Sequence, residues 1–346
     1  EQLGARLVER GHTVSVYCRT NHIRYAGQVY RGMRLVKLPT ISNKYLDTMA
    51  HTFLSSLHAL AQPYDLALYF IVGNSPLTLL PRLRGITTVL NVDGLDWRRA
   101  KWPEPAKKYI RWAERVATRV PHAVVTDSRV VERYYRERYG CATTYIPYGS
   151  ELEPVAPGAA LARWGLSPRE YILFVGRLVP ENCVHHLIGA FEGLNTTKRC
   201  VIVGDAPYAD QTIAQLKETA DPRVIFTGYL FGEGYRELLS HAYAFVETAG
   251  EGGTHPALVE AMALGNCVIV HDTPENLETI GRAGLSYDGQ RGAPALREAL
   301  TSLLAAPARA ADYGALARAR ARECFSWEQV TTAYETLFTE LRGRSQ

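Results

Sequence analysis

Short apolar runs alternate with longer amphipathic stretches along most of the 346 residues. In the first half, Thr13–Cys18, Arg34–Leu38, Asp65–Phe70, Thr87–Asn91, His122–Thr126 and Thr144–Ile146 read as strands. Tyr45–Ala61, Pro105–Arg119 and Arg129–Arg138 carry the helical period. Glu151–Gly158, with Pro154 and Pro157, reads as a linker. A second series follows, with strands at Tyr171–Val175, Cys200–Val203, Val224–Phe226, Ala244–Glu247 and Cys267–Val270. Helices are expected between them at Val184–Leu194, Ala209–Thr219, Tyr235–Ala242, Pro256–Leu264 and Glu275–Ile280, and a helical tail ends in Trp327–Leu341. Short apolar strands set between helices are covered on both faces, which means parallel sheets. The pattern predicts an α/β protein of two doubly wound parallel-sheet domains, over residues 1–152 and 158–325, with a last helix at 326–346 that crosses back to the first domain. Glu1–Arg10 reads as the end of an amphipathic helix, and no initiator Met precedes it, so a further strand and loop are expected upstream.

Composition narrows the classes. A chain 47% hydrophobic and 21% charged is not a disordered one. No apolar run approaches the ~18 residues of a membrane-spanning helix. Residues 1–155 hold 22 basic and 13 acidic side chains, and residues 156–346 hold 17 and 22. The overall +4 is too mild for a nucleic-acid binder, but the basic first half suits a phosphorylated partner or an anionic membrane surface. Six cysteines without CxxC spacing read as buried thiols of a reducing cytoplasm, with no metal site expected. The neighbours His185 and His186 diverge by ~100° on a helix and cannot share a metal. GxGxxG, the P-loop signature and a DxD triad are all missing, so a dinucleotide fold, a P-loop enzyme and a metal-bridged nucleotide-sugar site are disfavoured.

The most informative segment runs Gly250-Glu251-Gly252-Gly253-Thr254-His255-Pro256, followed by a helix through Glu260 to Gly265. A strand, a glycine turn and a helix start make an anion site from free backbone N–H groups. Thr254 is expected to cap that helix, Pro256 to open it and Gly265 to end it. Glu260, one turn in, is placed to accept hydrogen bonds from the vicinal hydroxyls of a ribose. Arg177, just past a strand end, can bind phosphate bidentately. Gly204-Asp205 lies at another strand end, and Gly228-Tyr229-Leu230 lets backbone approach a flat ring. In the first half, Asp93, Trp97, Arg98, Lys101 and Trp102 share one loop, where indoles could stack on a sugar and cations meet a diphosphate. A glycine turn, a surface ion pair and a domain-packing loop are the plainer alternatives to these three readings.

Gly176-Arg177-Leu178, Val203-Gly204-Asp205, Phe226-Thr227-Gly228, Glu260-Ala261-Met262-Ala263 and Phe325-Ser326-Trp327-Glu328, in that order, resemble the retaining glycosyltransferases of family 4. Ile146-Pro147-Tyr148-Gly149 is similar to the family's turn before its interdomain linker. Gly253-Thr254-His255-Pro256 with Asp93-Gly94 and Trp97 resembles a branch that includes bacterial polysaccharide rhamnosyltransferases. The resemblance implies the GT-B fold, two facing Rossmann-like domains. It also implies a UDP- or dTDP-like nucleotide-sugar donor on the second domain, a glycan or lipid-linked acceptor on the first, and no metal or other cofactor.

By that resemblance Arg177 meets the diphosphate and Glu260 the ribose. The backbone at Gly253 and Thr254 lies near the phosphates and donor sugar, and Tyr229 and Leu230 border the base. Asp93 orients donor sugar or acceptor. Two positions depart from the family: Asn182 stands where it has Lys, and Gly252 where it has Glu. Three readings stay open: a transferase, a GT-B epimerase or phosphorylase, and a non-catalytic nucleotide-sugar-binding protein.

Overall fold

A computed structural model describes residues 1–43, 46–99, 101–207 and 209–343. Tyr45, where the first-half helix was expected to begin, and Ala100, inside the tryptophan loop, lie outside the described residues. The chain divides into two units by contact: Glu1–Arg98 with Trp102–Pro147 and Trp327–Gln346, and Tyr148–Ser326 with Arg99–Lys101.

The first unit contains two sheets, not the single sheet expected. Leu66–Phe70, Thr87–Asn91, Ala123–Thr126 and Thr144–Tyr145 pair in that order, all parallel. Ser15–Arg19 pairs in parallel with Met33–Leu38, which carries the two-residue strand Val29–Tyr30 antiparallel on its other edge. That added strand is exposed and short, so it has no apolar signature. Its turn residues Arg31 and Gly32 both have positive φ, +48° and +76°, as a tight two-residue hairpin requires. Helix Trp327–Gly343 sets Val330, Tyr334, Leu337 and Leu341 against Val89 and Val125 of the parallel sheet and Ile146 just past its edge strand. Arg10 bridges Glu328 at 2.6 Å and Glu335 at 2.7 Å on the same helix.

The second unit is one six-stranded parallel sheet in the spatial order Val224–Gly228, Arg199–Val203, Tyr171–Val175, Ala244–Glu247, Cys267–His271, Leu285–Tyr287. Alternate residues feed opposite layers: Tyr171, Leu173, Val201, Phe245 and Val268 pack in one core, Ile172, Phe174, Ile202, Val246 and Ile269 in the other. This two-sided burial produces the near-continuous apolar strands of the sequence. The edge strand Leu285–Tyr287 escapes that pattern because it is three residues long and only partly covered. The segment expected as a linker ends on a fixed point. The buried Glu237 carboxylate accepts N–H donors from Gly158, Ala160 and Leu161 at 2.7, 3.1 and 2.8 Å, closing the start of helix Ala159–Arg163.

Candidate functional site

In chain order the six strands of the second unit stand 3-2-1-4-5-6, the doubly wound arrangement that reverses direction between its first and fourth strands. Ligands of such sheets bind in the crevice beyond the carboxyl ends of those two strands. Here the crevice is made by the Gly176–Asn182 loop after Tyr171–Val175 and the Thr248–His255 loop after Ala244–Glu247. The two loops are tied directly. Gly250 N–H donates to the Glu181 carbonyl at 3.0 Å, and the Thr248 hydroxyl donates to the Asn182 carbonyl. Asn182 in turn donates its side-chain N–H to the Arg177 carbonyl at 2.8 Å, so it braces the loop that presents Arg177.

Arg177 is exposed, and its guanidinium makes no hydrogen bond or ion pair among the described residues. Burial pushes the Tyr229 phenol up, the Asp205 charge adds to this, and the Arg177 charge opposes it. Arg177, Asp205 and Tyr229 each follow the carboxyl end of one of three neighbouring strands, Tyr171–Val175, Arg199–Val203 and Val224–Gly228. Asp205 accepts the N–H of Ala206 at 2.8 Å. Gly204 has φ +146°, and a Cβ there would stand 1.8 Å from the Gly176 carbonyl oxygen. The strand ends meet backbone to backbone, which only glycine permits.

On the other loop, Gly252 has φ +155°, and a Cβ would run into the His255 ring 2.6 Å away. Gly253 and Thr254 are buried. The helix starts at Pro256, as expected, but its N-cap is His255 and not Thr254, and the His255 side chain makes no capping bond. Gly265, at φ +78°, follows the helix end. Glu260 is largely buried and accepts a hydrogen bond from the Tyr235 hydroxyl. Burial raises the Glu260 carboxyl above the usual range, and that hydrogen bond partly offsets the rise.

The first-unit loop is built differently. Asp93 has φ +59°, and its N–H donates to the Asn91 side-chain oxygen at 2.9 Å. Asn91 donates to the Tyr334 hydroxyl at 2.9 Å. Asp96 is buried, Arg98 is exposed, and Lys101 clusters with the second unit. The indoles that the sequence offers as sugar platforms are drawn inward: Trp97 and Trp102 pack on the core of Leu90, Val92, Leu95 and Ile110. The Arg111 guanidinium stands 4.6 Å from the centre of the Trp97 ring.

Two features of this unit carry no sequence signal. Ile71 holds φ +70°, rare for a β-branched residue, at the end of Leu66–Phe70. Tyr17, Cys18, Arg19, His22, Ile23 and His51 line an open cleft of about 350 Å³. Both arise from backbone placement, which motif reading does not capture.

Residues 169–306 match the family described as glycosyl transferases group 1. Residues 80–151 match a domain of unknown function, DUF1972. The chain is 28% identical over 251 residues to the alpha-maltose-1-phosphate synthase of Mycolicibacterium smegmatis, 63% of each chain. It is 35% identical over 161 residues to the GDP-mannose-dependent alpha-mannosyltransferase of that organism, 45% of this chain and 39% of that one. The chain thus spans about 63% of the length of the first of these relatives.

Among solved structures, the sucrose-phosphate synthase of Thermosynechococcus elongatus superposes with a TM-score of 0.82 at 22% identity, over 99% of this chain and 92% of that one. Anabaena HepE, solved with UDP and glucose, superposes at 0.76 and 17% identity, over 90% and 87%. The fold is GT-B. No helix among the described residues is long and apolar enough to cross a membrane.

Proposed function

We propose that the protein is a glycosyltransferase that moves a sugar from a nucleoside-diphosphate donor to a hydroxyl of a glycan or lipid-linked acceptor, with retained configuration. The observation that carries the reading is the tied pair of loops at the strand-order reversal, an exposed Arg177 on one and a glycine-shaped helix start on the other. Curated relatives of the group 1 domain, an alpha-maltose-1-phosphate synthase and a GDP-mannose-dependent mannosyltransferase, support the reaction class.

The chemistry requires a leaving diphosphate to be stabilised as its charge develops. Arg177 supplies a mobile cation, and the amides of Gly253, Thr254 and His255 at the helix start supply fixed dipoles. Glu260, oriented by Tyr235, takes the ribose hydroxyls with its second oxygen. Tyr229 and Leu230 border the base, and Gly204, Asp205 and Gly252 shape the approach. Asn182 acts through the Arg177 loop and does not itself touch phosphate. The residues supply this stabilisation without a metal bridge, and a diphosphate oxygen takes the acceptor proton as the sugar transfers on its front face. Asp93 orients sugar or acceptor, and Arg98 and Lys101 draw a phosphorylated acceptor, while Trp97 holds their loop. The chain's own resemblance favours rhamnose and a bacterial surface polysaccharide, assembled on the cytoplasmic side of an anionic membrane.

The test is a panel of UDP-, dTDP- and GDP-sugars with and without lipid-linked acceptors, read by product mass. Transfer that requires both donor and acceptor supports the proposal. Donor conversion without acceptor marks an epimerase, and nucleotide binding without turnover marks a binding protein.

A further inference from the structure

Cys183, His186 and His271 bring one thiol sulfur and two imidazole nitrogens within 4.8 Å of one another. Cys183 is the turn residue before helix Val184–Glu192, His186 lies in the first turn of that helix, and His271 ends the strand Cys267–His271. No spacing rule finds this set, because sheet order brings His271 to the other two across a long sequence gap.

Two observations indicate that the cluster is built for an ion. The first is how the imidazoles are held. His271 Nδ1 lies 3.1 Å from the Thr248 carbonyl oxygen. A carbonyl can only accept, so Nδ1 carries the proton and Nε2 keeps its lone pair. His186 Nδ1 lies 3.2 Å from the Tyr287 hydroxyl. Outer contacts of this kind orient metal-ligating histidines. Glycine lines both remaining edges: a Cβ at Gly289 would stand 1.6 Å from His271 Nε2, and one at Gly292 would stand 3.0 Å from His186 Nε2.

The second observation is a buried polar group left without partners. Glu181 is buried, and neither of its carboxyl oxygens has a hydrogen-bond partner among the described residues. Asp272 Oδ1 lies 3.9 Å from His271 Nε2. A buried carboxyl group without hydrogen-bond partners is costly, and an ion held at Cys183, two residues further along the chain, would offset that cost.

We propose that Cys183, His186 and His271 form a site for zinc or a similar thiophilic divalent transition ion. One thiolate and two imidazoles are a zinc donor set, with a fourth position open to water. Tetrahedral zinc needs such donors about 3.3–3.6 Å apart, so from separations within 4.8 Å the three side chains draw together by up to about 1.5 Å. The ion would clamp the loop after the first strand of the sheet to the end of the fifth. Through the Thr248 carbonyl it would also stiffen the glycine loop, as a brace behind the proposed donor site. This inference stands without the transferase reading.

The full chain, stripped with a chelator and titrated with Co²⁺, gives a direct test. A thiolate-to-cobalt charge-transfer band with tetrahedral d–d bands, saturating at one ion per chain, is expected. Cys183 has φ +47°, so Cys183→Gly suits the backbone and removes only the sulfur. That variant, unchanged in circular dichroism, should lose the band and weaken Zn²⁺ binding by at least about 100-fold, with Tyr287→Phe losing roughly 10-fold. No thiolate band in the unaltered protein, or undiminished Zn²⁺ affinity in Cys183→Gly and His271→Gln, would overturn the proposal.

Discussion

The loops richest in candidate chemistry are built on opposite plans in the two units. The Trp97 loop of the first unit spends its aromatic groups on the core, with Trp97 and Trp102 packed inward and Arg111 over the Trp97 ring. The Gly176–Asn182 and Thr248–His255 loops of the second unit commit almost only backbone, and leave Arg177 exposed. Loop composition therefore says little about which side chains are available to a ligand. Glycines that let two backbones touch say more, because nothing but close approach explains them.

The contrast can be broken at several points. Gly204→Ala has the largest expected effect. With the Gly176 carbonyl where the new methyl must sit, the strand ends have to part, at about 4 kcal/mol or more. Nucleotide-induced thermal stabilisation should vanish along with much of the second unit's resistance to urea. A variant that melts and binds like the parent would remove the close-approach argument.

Arg177→Ala should leave the melting temperature unchanged, since the guanidinium holds nothing in place, yet raise the activation barrier by ~2–4 kcal/mol. Turnover at saturating donor reads this directly, and an unimpaired rate would end the phosphate role.

For Trp97→Ala the reverse is expected. Stability falls by about 2 kcal/mol, since the indole is only half-buried, while nucleotide affinity stays put. A variant with intact stability but poor acceptor use would return that ring to the site.

The smallest effect tests charge. Glu114 is buried and accepts from the Tyr139 and Tyr134 hydroxyls at 2.7 and 3.0 Å. Burial raises its carboxyl, and those hydrogen bonds only partly oppose the rise. The folded state thus holds this proton more tightly than the unfolded state, so its contribution shrinks as pH climbs from the ordinary glutamate range through the raised value. Relative to Glu114→Gln, the parent should gain up to a few degrees of melting temperature on acidification through that window. A parallel pair of melting curves would show that the carboxyl is ordinary.

Much of this was legible in the residues. Strands such as Tyr171–Val175 and Ala244–Glu247 stand at their expected limits, because burial on both faces leaves an unbroken apolar run. Gly250–His255 was legible as a turn into a helix for the same local reason. Pairing order is another matter. Periodicity cannot say that the sheet reverses between Tyr171–Val175 and Ala244–Glu247, nor that the first unit splits into two sheets. The role of Asn182 was hidden, since the sequence shows a missing lysine but not the carbonyl its amide holds. His271 gave no signal at all, because its neighbours Cys183 and His186 arrive only through the topology.

The helix Trp327–Gly343 finishes the core around Val89 and Val125, although a whole second unit intervenes in the sequence. A nascent chain leaves the ribosome amino end first, and domains tend to fold in that order. Here the first unit must wait, its sheet uncovered on that face, until Trp327–Gly343 has emerged. The second unit can mature first, and a chain cut before Trp327 would leave the sheet of the first unit without its cover.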